Sequence, residues 1–252
     1  MSTTQSSILG IIPSRYASTR FPAKPLVDIA GKSMIQRVYE QASKAPSLSK
    51  VVVATDDARI YDHVLAFGGN VVMTSEAHPS GTDRCFEALQ AIEAGAGTEF
   101  QYVINIQGDE PFIQPEQIEI LAASLDGTTE LATLIKKIED EITLFNPNTP
   151  KVIFNHAHEA IYFSRQTIPY LRGFEPSEWL NHADYYKHIG IYAYRRDILE
   201  KITTLGVASL EKTESLEQLR WLANGFKIKV AITPYDSFGI DVPADLEEAL
   251  KR

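Results

Sequence analysis

The stretch from residue 10 to residue 26 reads GIIPSRYASTRFPAKPL. An apolar run passes here directly into a proline-rich loop that carries Arg15, Arg20 and Lys24. The whole chain has 24 basic and 33 acidic side chains and a net charge of −9, whereas residues 1–40 have five basic and two acidic side chains and a net charge of +3. A local excess of positive charge on an acidic protein favours a small polyanionic ligand over a nucleic-acid duplex. A solvated surface loop is the simpler alternative.

Length and composition are those of an ordinary globular protein. The 252 residues allow one large domain or a domain with an inserted lobe. Cys85 is the only cysteine, which excludes an intrachain disulfide and fits a reducing compartment. No apolar run approaches the roughly 20 residues of a membrane span, and MSTTQSSILG lacks the basic region of a signal peptide. We therefore expect a cytoplasmic protein.

Short apolar runs alternate with helical patterns in the first half of the chain. The predicted strands cover 8–12, 51–54, 71–73 and 102–106, and the predicted helices cover 34–42, 60–67 and 85–94. This alternation predicts an α/β fold with a doubly wound, mostly parallel sheet. Polar segments follow the ends of these strands, at 14–15, 55–57, 78–84 and 107–110. Since ligands of such sheets bind beyond the carboxyl ends of the strands, we expect these segments to meet at one edge.

The alternation of strands and helices ends near residue 131. Four predicted strands with little helix between them follow, at 131–138, 151–155, 160–165 and 188–194, and then a helix at 216–223, a strand at 227–233 and a helix at 243–251. The pattern predicts a core of residues 1–130 and 205–252, with an antiparallel, strand-rich lobe inserted at residues 131–204.

Two common nucleotide motifs are absent from the sequence. Gly31-Lys32-Ser33 looks like the end of a Walker A loop, but Leu26 stands where its first glycine is required, and no GxGxxG follows Ile12. The loop after the first strand instead offers arginines, which suit bidentate phosphate contacts, and a lysine, which acts as a point charge. Three such cations are enough to neutralise most of a triphosphate and to stabilise a departing pyrophosphate.

Segments along the chain resemble, in order, the signatures of the cytidylyltransferases that activate acidic sugars. The loop PSRYASTRFPAKPL at 13–26 resembles their signature loop most closely as it stands in the enzymes that act on 3-deoxy-manno-octulosonate (Kdo). The likeness continues in ATDD at 54–57, SGTDR at 80–84, NIQGDEP at 105–111, YFSR at 162–165, KHIGIY at 187–192, LEQLR at 216–220 and GID at 239–241. The resemblance covers nearly the whole chain, and the ordered set is far more specific than any one segment.

The resemblance implies transfer of CMP from CTP to the anomeric hydroxyl of Kdo, with release of pyrophosphate, a requirement for Mg²⁺, a homodimer and a role in lipopolysaccharide synthesis. It implies that Arg15, Arg20 and Lys24 hold the triphosphate, that Ser80, Gly81 and Arg84 line the cytosine pocket, and that Asp109 and Asp241 are the metal carboxylates. It also implies that the sugar acid is bound by Gln107, Arg165, His188, Tyr192, Glu217 and Gln218. Two carboxylates suit Mg²⁺, which takes its remaining oxygen ligands from phosphates and water.

Each of these residues has a structural alternative. Asp241 stands just before Pro243 and an apolar helix, where it is by itself better explained as a helix N-cap. The remaining alternatives are turn chemistry for Asp109, a core position for His188, a solvated or capping role for Glu217 and Gln218, and an ordinary turn for Ser80-Gly81.

Two positions depart from the family pattern. Ala23 replaces the usual glycine before Lys24, and we expect this position to have an ordinary negative φ, which alanine adopts without strain. Val242 replaces the threonine that commonly follows Asp241, which removes a hydroxyl cap from the last helix.

Three other functions remain open at this point. The chain could act on a related acid, such as 8-amino-Kdo or a sialic acid, because a single hydrogen-bonding difference in the pocket decides between them. A metal-dependent glycosyltransferase would have less need of the clustered cations. A catalytically silent nucleotide sensor would not need both Asp109 and Asp241.

Overall fold

The computed structural model describes residues 7–17, 21–97 and 99–251. Its strands β1 to β11 are Ile8–Ser14, Asp28–Ile29, Lys32–Ser33, Lys50–Thr55, Val71–Met73, Tyr102–Asn105, Leu131–Lys137, Lys151–Phe154, Ala160–Ser164, Tyr186–Arg195 and Ile228–Ile232. Its helices α1 to α10 are Met34–Ala42, Ala58–Ala66, Gly81–Ala96, Pro115–Ala123, Glu141–Phe145, Trp179–His182, Arg196–Thr203, Ser209–Glu214, Gln218–Ala223 and Pro243–Ala249. None of the helices in these described ranges is both long and apolar enough to cross a membrane.

A central sheet in the order β11-β7-β10-β6-β1-β4-β5 forms the body of the protein. Strand β1 pairs in parallel with β4 and β6, β4 pairs in parallel with β5, and β7 pairs in parallel with β11. Strand β10 runs antiparallel between β6 and β7. The predicted α/β class with a mostly parallel sheet is confirmed.

Helices cover both faces of this sheet. Side chains alternate along a strand, so neighbouring residues of β1 face opposite layers. Ile11 lies in one buried cluster with residues of α3, α7 and α9, and Ile12 lies in a second cluster with residues of α1, α2 and α4. Burial on both faces explains why the strands are continuous apolar runs rather than alternating ones.

The segment 131–204 is more closely joined to the core than an inserted lobe would be. Two of its strands, β7 and β10, lie inside the central sheet, and only the β8–β9 hairpin extends beyond it, where β8 pairs with β10. Helix α7 also packs in the core. Strands β7 and β10 of the predicted lobe are therefore part of the central sheet, where both are buried. The domain boundaries at residues 131 and 204 stay a prediction.

The expected meeting of polar segments at one sheet edge is confirmed. Ser14 at the end of β1 is in register with Thr55 at the end of β4, and Asn105 ends β6. Because β10 runs antiparallel to β6 and pairs Tyr192 with Asn105, its earlier residues project past the end of β6 to the same edge. The loop from β11 to α10, which carries Asp241, begins there as well.

Candidate functional site

A cavity of about 260 Å³ opens at this edge, between the ends of β1 and β6 and the starts of α3 and α9. It is lined by Pro13, Arg15, Gly81, Thr82, Arg84, Asn105, Gln107 and Glu217. Five of the residues expected in the site from sequence are thus brought together, namely Arg15, Gly81, Arg84, Gln107 and Glu217. Asp109, the expected metal carboxylate, follows Gln107 by two residues and is not itself part of the lining.

Lys24 joins the two expected metal carboxylates. Its Nζ lies 2.7 Å from Oδ2 of Asp109 and 3.2 Å from Oδ1 of Asp241. The lysine side chain is only 14% exposed. The backbone N–H of Ile240 donates to the carbonyl of Asp109 at 2.9 Å, which holds the two segments side by side. Residues far apart in sequence therefore meet around one ammonium, as expected for a shared function.

Asp241 is not the N-cap of the last helix. Val242 occupies that position, and Oδ2 of Asp245 accepts from the N–H groups of Asp241 and Val242 at 2.7 and 2.9 Å. The capping alternative is therefore wrong, since a carboxylate one turn into the helix satisfies these donors. The expected loss of a hydroxyl cap at Val242 is confirmed.

Ala23 adopts the left-handed conformation, with φ 58° and ψ 17°. The expectation of a negative φ is wrong, because the chain must turn sharply here to bring Lys24 to the carboxylates. The N–H of Ala23 donates to the carbonyl of Tyr16 at 3.2 Å and closes the loop. Alanine in this conformation costs about 1–2 kcal/mol relative to the ordinary helical region. Arg20 lies outside the described residues.

Arg15 lies at the mouth of the cavity and is partly buried. Its Nη2 donates to the carbonyl oxygen of His78, in the loop between β5 and α3. The next residue, Tyr16, carries the guanidinium of Arg59 over its ring at 3.3 Å from the centroid, a cation–π contact that fixes the start of the loop. The Arg15 fork is therefore held at the cavity rather than extended into solvent.

Ser80 and Gly81 begin helix α3. Ser80 is the N-cap, and its Oγ accepts from the N–H of Asp83 at 3.2 Å, so these residues start a helix rather than form an ordinary turn. Gly81 presents backbone to the cavity, and a Cβ built there would lie 3.6 Å from Pro13 and 3.8 Å from Asn105. The helix N-terminus supplies a partial positive charge at the cavity.

Arg84 is completely buried. Its Nη1 donates to Oγ1 of Thr74 at 2.5 Å, and its Nη2 donates to Oδ2 of Asp56 at 2.6 Å. Its Nε has no hydrogen-bond partner within the described part of the chain. Both partners stand at the ends of core strands, so the buried charge is paired and the guanidinium is held rigidly in the cavity wall.

A directed chain of hydrogen bonds connects two walls of the cavity. Asn105 Nδ2 donates to the hydroxyl of Tyr194 at 3.2 Å, this hydroxyl lies 3.4 Å from Oγ1 of Thr82, and Thr82 donates to Oε2 of Glu217 at 3.0 Å. Glu217 is therefore an acceptor, and burial raises the pKa of its carboxyl. Sequence reasoning assigned no role to Asn105, Thr82 or Tyr194, although the first two lie in segments already recognised as similar to the family.

Arg165 does not line the cavity. Its side chain donates to the carbonyls of Glu214, Pro147 and Ser215 at 2.6, 3.1 and 3.3 Å. Its own carbonyl accepts from the buried ammonium of Lys151 at 2.9 Å. The structure thus gives Arg165 a role in joining three segments, and its expected contact with a sugar acid stays a prediction.

His188, Tyr192 and Gln218 are not among the residues that line the cavity. Nε2 of His188 lies 3.0 Å from Oγ1 of Thr133. The hydroxyl of Thr133 donates its one proton to the carbonyl of Ile191 at 2.7 Å, so His188 is the donor in its contact with Thr133. Burial lowers the pKa of His188 to about 3. Tyr192 and Gln218 are buried, and each has a polar side-chain atom, the hydroxyl and Nε2, with no partner among the described residues.

Comparison with known proteins agrees with this geometry. A family model described as cytidylyltransferase matches residues 9–228. A 3-deoxy-manno-octulosonate cytidylyltransferase from Cytophaga hutchinsonii is 61% identical over 241 residues, 95% of each chain, and one from Parabacteroides distasonis is 57% identical over 247 residues, 96% of each chain.

Solved structures give the same picture. A structure of CMP:2-keto-3-deoxy-manno-octonic acid synthetase complexed with CTP has a TM-score of 0.89, is 42% identical and covers 98% of each chain. A 4-diphosphocytidyl-2C-methyl-D-erythritol synthase from Anaerococcus prevotii shares the fold, with a TM-score of 0.64 at 16% identity over 98% of this chain and 96% of its own. The chain therefore belongs to the cytidylyltransferase family and, within it, to the 3-deoxy-manno-octulosonate cytidylyltransferases.

Proposed function

We propose that this protein transfers CMP from CTP to the anomeric hydroxyl of Kdo and releases pyrophosphate. The observation that carries the proposal is the contact of Lys24 with both Asp109 and Asp241, at the sheet edge that also holds the cavity lined by Arg15 and Glu217. Cations, carboxylates and a polar pocket are the three features that a transfer from a nucleoside triphosphate requires.

The cations bind the triphosphate and stabilise its leaving group. The anomeric oxygen attacks the α-phosphorus, the bond from that phosphorus to the bridging oxygen breaks, and pyrophosphate leaves with the electron pair while the hydroxyl proton is released. Arg15 and Lys24, together with Arg20 from the same loop, meet the charge that develops on the leaving oxygens. Positioning and electrostatic stabilisation account for most of the catalysis of such reactions, and fixed cations contribute to both.

The cavity wall suits a nucleotide base and a hydroxylated acid. Gly81 leaves room at the start of α3, where a flat base fits against the helix N-terminus, and Arg84 makes the wall beside it rigid. Gln107 and Glu217 present amide and carboxylate oxygens to sugar hydroxyls. Recognition of the Kdo carboxylate by Arg165 requires its guanidinium to exchange backbone carbonyls for the ligand.

The residues fit the requirement for Mg²⁺ that the family resemblance implies. Oxygens of Asp109 and Asp241 already converge on one cation, the ammonium of Lys24. Mg²⁺ is commonly held by one or two carboxylates and completes its coordination with phosphate oxygens and water. When bound, it would neutralise charge on the phosphates of CTP. Asp109 and Asp241 would hold it, and Lys24 would then be available to the triphosphate.

We also propose a homodimer that forms mainly through residues 131–204. Ile142 and Tyr170 in this segment are 85% and 75% exposed, and exposed apolar side chains of this size favour burial against a partner. Sedimentation should give about twice the 28.1 kDa of one chain, and a monomer at micromolar concentration would contradict the proposal. A cytoplasmic location and a role in lipopolysaccharide synthesis complete the proposal.

A substrate panel tests the function. Pyrophosphate release is measured with CTP, Mg²⁺ and, in separate reactions, Kdo, 8-amino-Kdo, a sialic acid and glucose 1-phosphate. We expect turnover with Kdo, and the relatives that are named for Kdo make 8-amino-Kdo the less favoured acid. Turnover with glucose 1-phosphate and none with any sugar acid would refute the proposal, and binding of CTP without turnover on any acid would point to a nucleotide sensor.

A further inference from the structure

The loop between β5 and α3, residues 74–80, holds the guanidinium of Arg15. Nη2 of Arg15 donates to the backbone carbonyl oxygen of His78. Pro79 follows and restricts His78 to extended conformations, which limits the directions in which this carbonyl points. A guanidinium has five N–H donors, and the contact with His78 uses one of them.

Glu87 in turn fixes this loop to helix α3. Its Oε2 accepts from the N–H of Ser75 at 2.8 Å and contacts Nε2 of His78. Ser75 Oγ accepts from the N–H of Ala77 at 3.1 Å and closes a turn between these two anchor points. Glu87 lies on the helix whose first residues line the cavity, so the loop and the cavity wall share one rigid support.

We propose that His78 and Glu87 are positioning residues that hold Arg15 in the orientation needed to bind the triphosphate, an inference that rests on the proposed function. Glu87 contacts the ring of His78, the carbonyl of His78 accepts from Arg15, and Arg15 would bind CTP. Neither His78 nor Glu87 is assigned a contact with substrate. The chain of contacts joins α3 and the loop that precedes it to Arg15, the residue that follows β1.

The support matters most for the middle of the loop, since Thr74 at its start is buried and already bonded to Thr55 and Arg84. Ser75, Glu76 and Ala77 are exposed, and ordering a free backbone costs roughly 1–2 kcal/mol per residue. Because contacts in the free protein already order the loop, CTP binding does not have to supply this ordering free energy. A guanidinium that is already oriented also stabilises developing charge more than one that must reorganise.

Steady-state kinetics of Glu87→Ala and His78→Ala test the proposal. We expect kcat/KM for CTP to fall about 10- to 10²-fold, as for misplacement of a binding group, while KM for Kdo stays within about twofold. Glu87→Gln should recover most of the loss, because its amide oxygen still accepts from the N–H of Ser75. Glu76→Ala, which removes an exposed carboxylate from the same loop, is the control and should match the wild type.

A double-mutant cycle with Arg15→Ala gives the decisive result. If Glu87 acts through Arg15, Glu87→Ala should add almost nothing to the loss already caused by Arg15→Ala. Calorimetric affinity for CTP in the absence of Kdo should show the same non-additivity and does not depend on turnover. Independent, multiplicative losses, or a Glu87→Ala variant with normal kcat/KM for CTP, would overturn this inference alone. A wild-type protein that releases no pyrophosphate with Kdo would instead refute the proposed function.

Discussion

Oδ1 of Asp241 lies 3.2 Å from the ammonium of Lys24, although 217 residues separate the two in the chain. The same ammonium contacts Asp109 at 2.7 Å. Two carboxylates repel each other at close range, and a shared cation offsets that repulsion. The arrangement therefore depends on a positive charge, which Lys24 provides in the free protein and which the proposed Mg²⁺ would provide during catalysis.

Replacing Asp241 by asparagine should separate catalysis from stability. Asp245 and not Asp241 caps helix α10, so the free energy of unfolding should change by less than about 0.5 kcal/mol. Turnover should fall about 10²- to 10³-fold, because the amide lacks the charge that a hard cation requires. Thermal unfolding and pyrophosphate release measure the two effects. Glu247→Gln, an exposed change on the same helix, should alter neither, and normal turnover of Asp241→Asn would remove this residue from the site.

The buried pair of Arg84 and Asp56 should be essential for stability. Asp56→Asn leaves the guanidinium of a fully buried arginine without its counter-charge, which should cost about 3 kcal/mol of unfolding free energy. Denaturant unfolding measures the loss. Asp62→Asn, an exposed change on α2, should fall within about 0.5 kcal/mol of the wild type. Equal stability of both variants would mean that the Arg84 charge is compensated in another way.

Ala23→Gly should stabilise the protein. Glycine adopts the left-handed conformation of this position without steric cost, so the gain should be about 1 kcal/mol after the greater entropy of the unfolded glycine is included. Ala122→Gly inside helix α4 should have the opposite sign and a similar size. The free energies of unfolding of the two variants are measured and compared with that of the wild type. Destabilisation by both glycines would show that φ at position 23 is negative after all.

His188 should make the protein less stable in mild acid. Burial lowers its pKa to about 3 in the folded protein, whereas an unfolded histidine titrates near pH 6.5. Between these values the unfolded chain binds the proton and the folded chain does not, so the contribution of His188 is largest above about pH 6.5 and is progressively lost as the pH falls toward 3. At pH 5 the loss should be about 2 kcal/mol.

Denaturant unfolding of His188→Gln at pH 7 and pH 5 isolates this effect. The difference in unfolding free energy between the two pH values should shrink by about 2 kcal/mol relative to the wild type. His156→Gln, an exposed histidine in the β8–β9 turn, is the control. An unchanged pH dependence in His188→Gln would show that His188 is protonated in the folded protein.

The sheet was largely predictable from sequence, because runs such as ILGII at residues 8–12 carry no polar side chain and alternate with helical periods. The position of β10 within the sheet could not be predicted from sequence. An antiparallel strand buried on both faces has the same apolar pattern as a parallel one, so nothing local shows that it enters the core sheet between β6 and β7.

The site was predictable as a set of residues but not as a set of contacts. The ordered motifs identified Lys24, Asp109 and Asp241, whereas the bridge between them depends on the left-handed turn at Ala23, a position where sequence favours the opposite conformation. Arg84 and Arg165 have similar sequence signals and different surroundings. Arg84 lies in the cavity wall and pairs with the carboxylate of Asp56, whereas Arg165 donates to backbone carbonyls.

The most direct test of the central claim follows the anomeric oxygen of the sugar. The purified protein is given CTP, Mg²⁺ and Kdo that carries a heavy oxygen at the anomeric hydroxyl. The nucleotide product is analysed by phosphorus NMR and mass spectrometry. The label that remains in unreacted Kdo is measured as a control for exchange with water. Attack of that oxygen on the α-phosphorus predicts one pyrophosphate per product and the heavy oxygen retained in the bridge between sugar and phosphorus. Loss of the label from the product while unreacted Kdo retains it, or absence of any CMP–sugar product, would contradict the account.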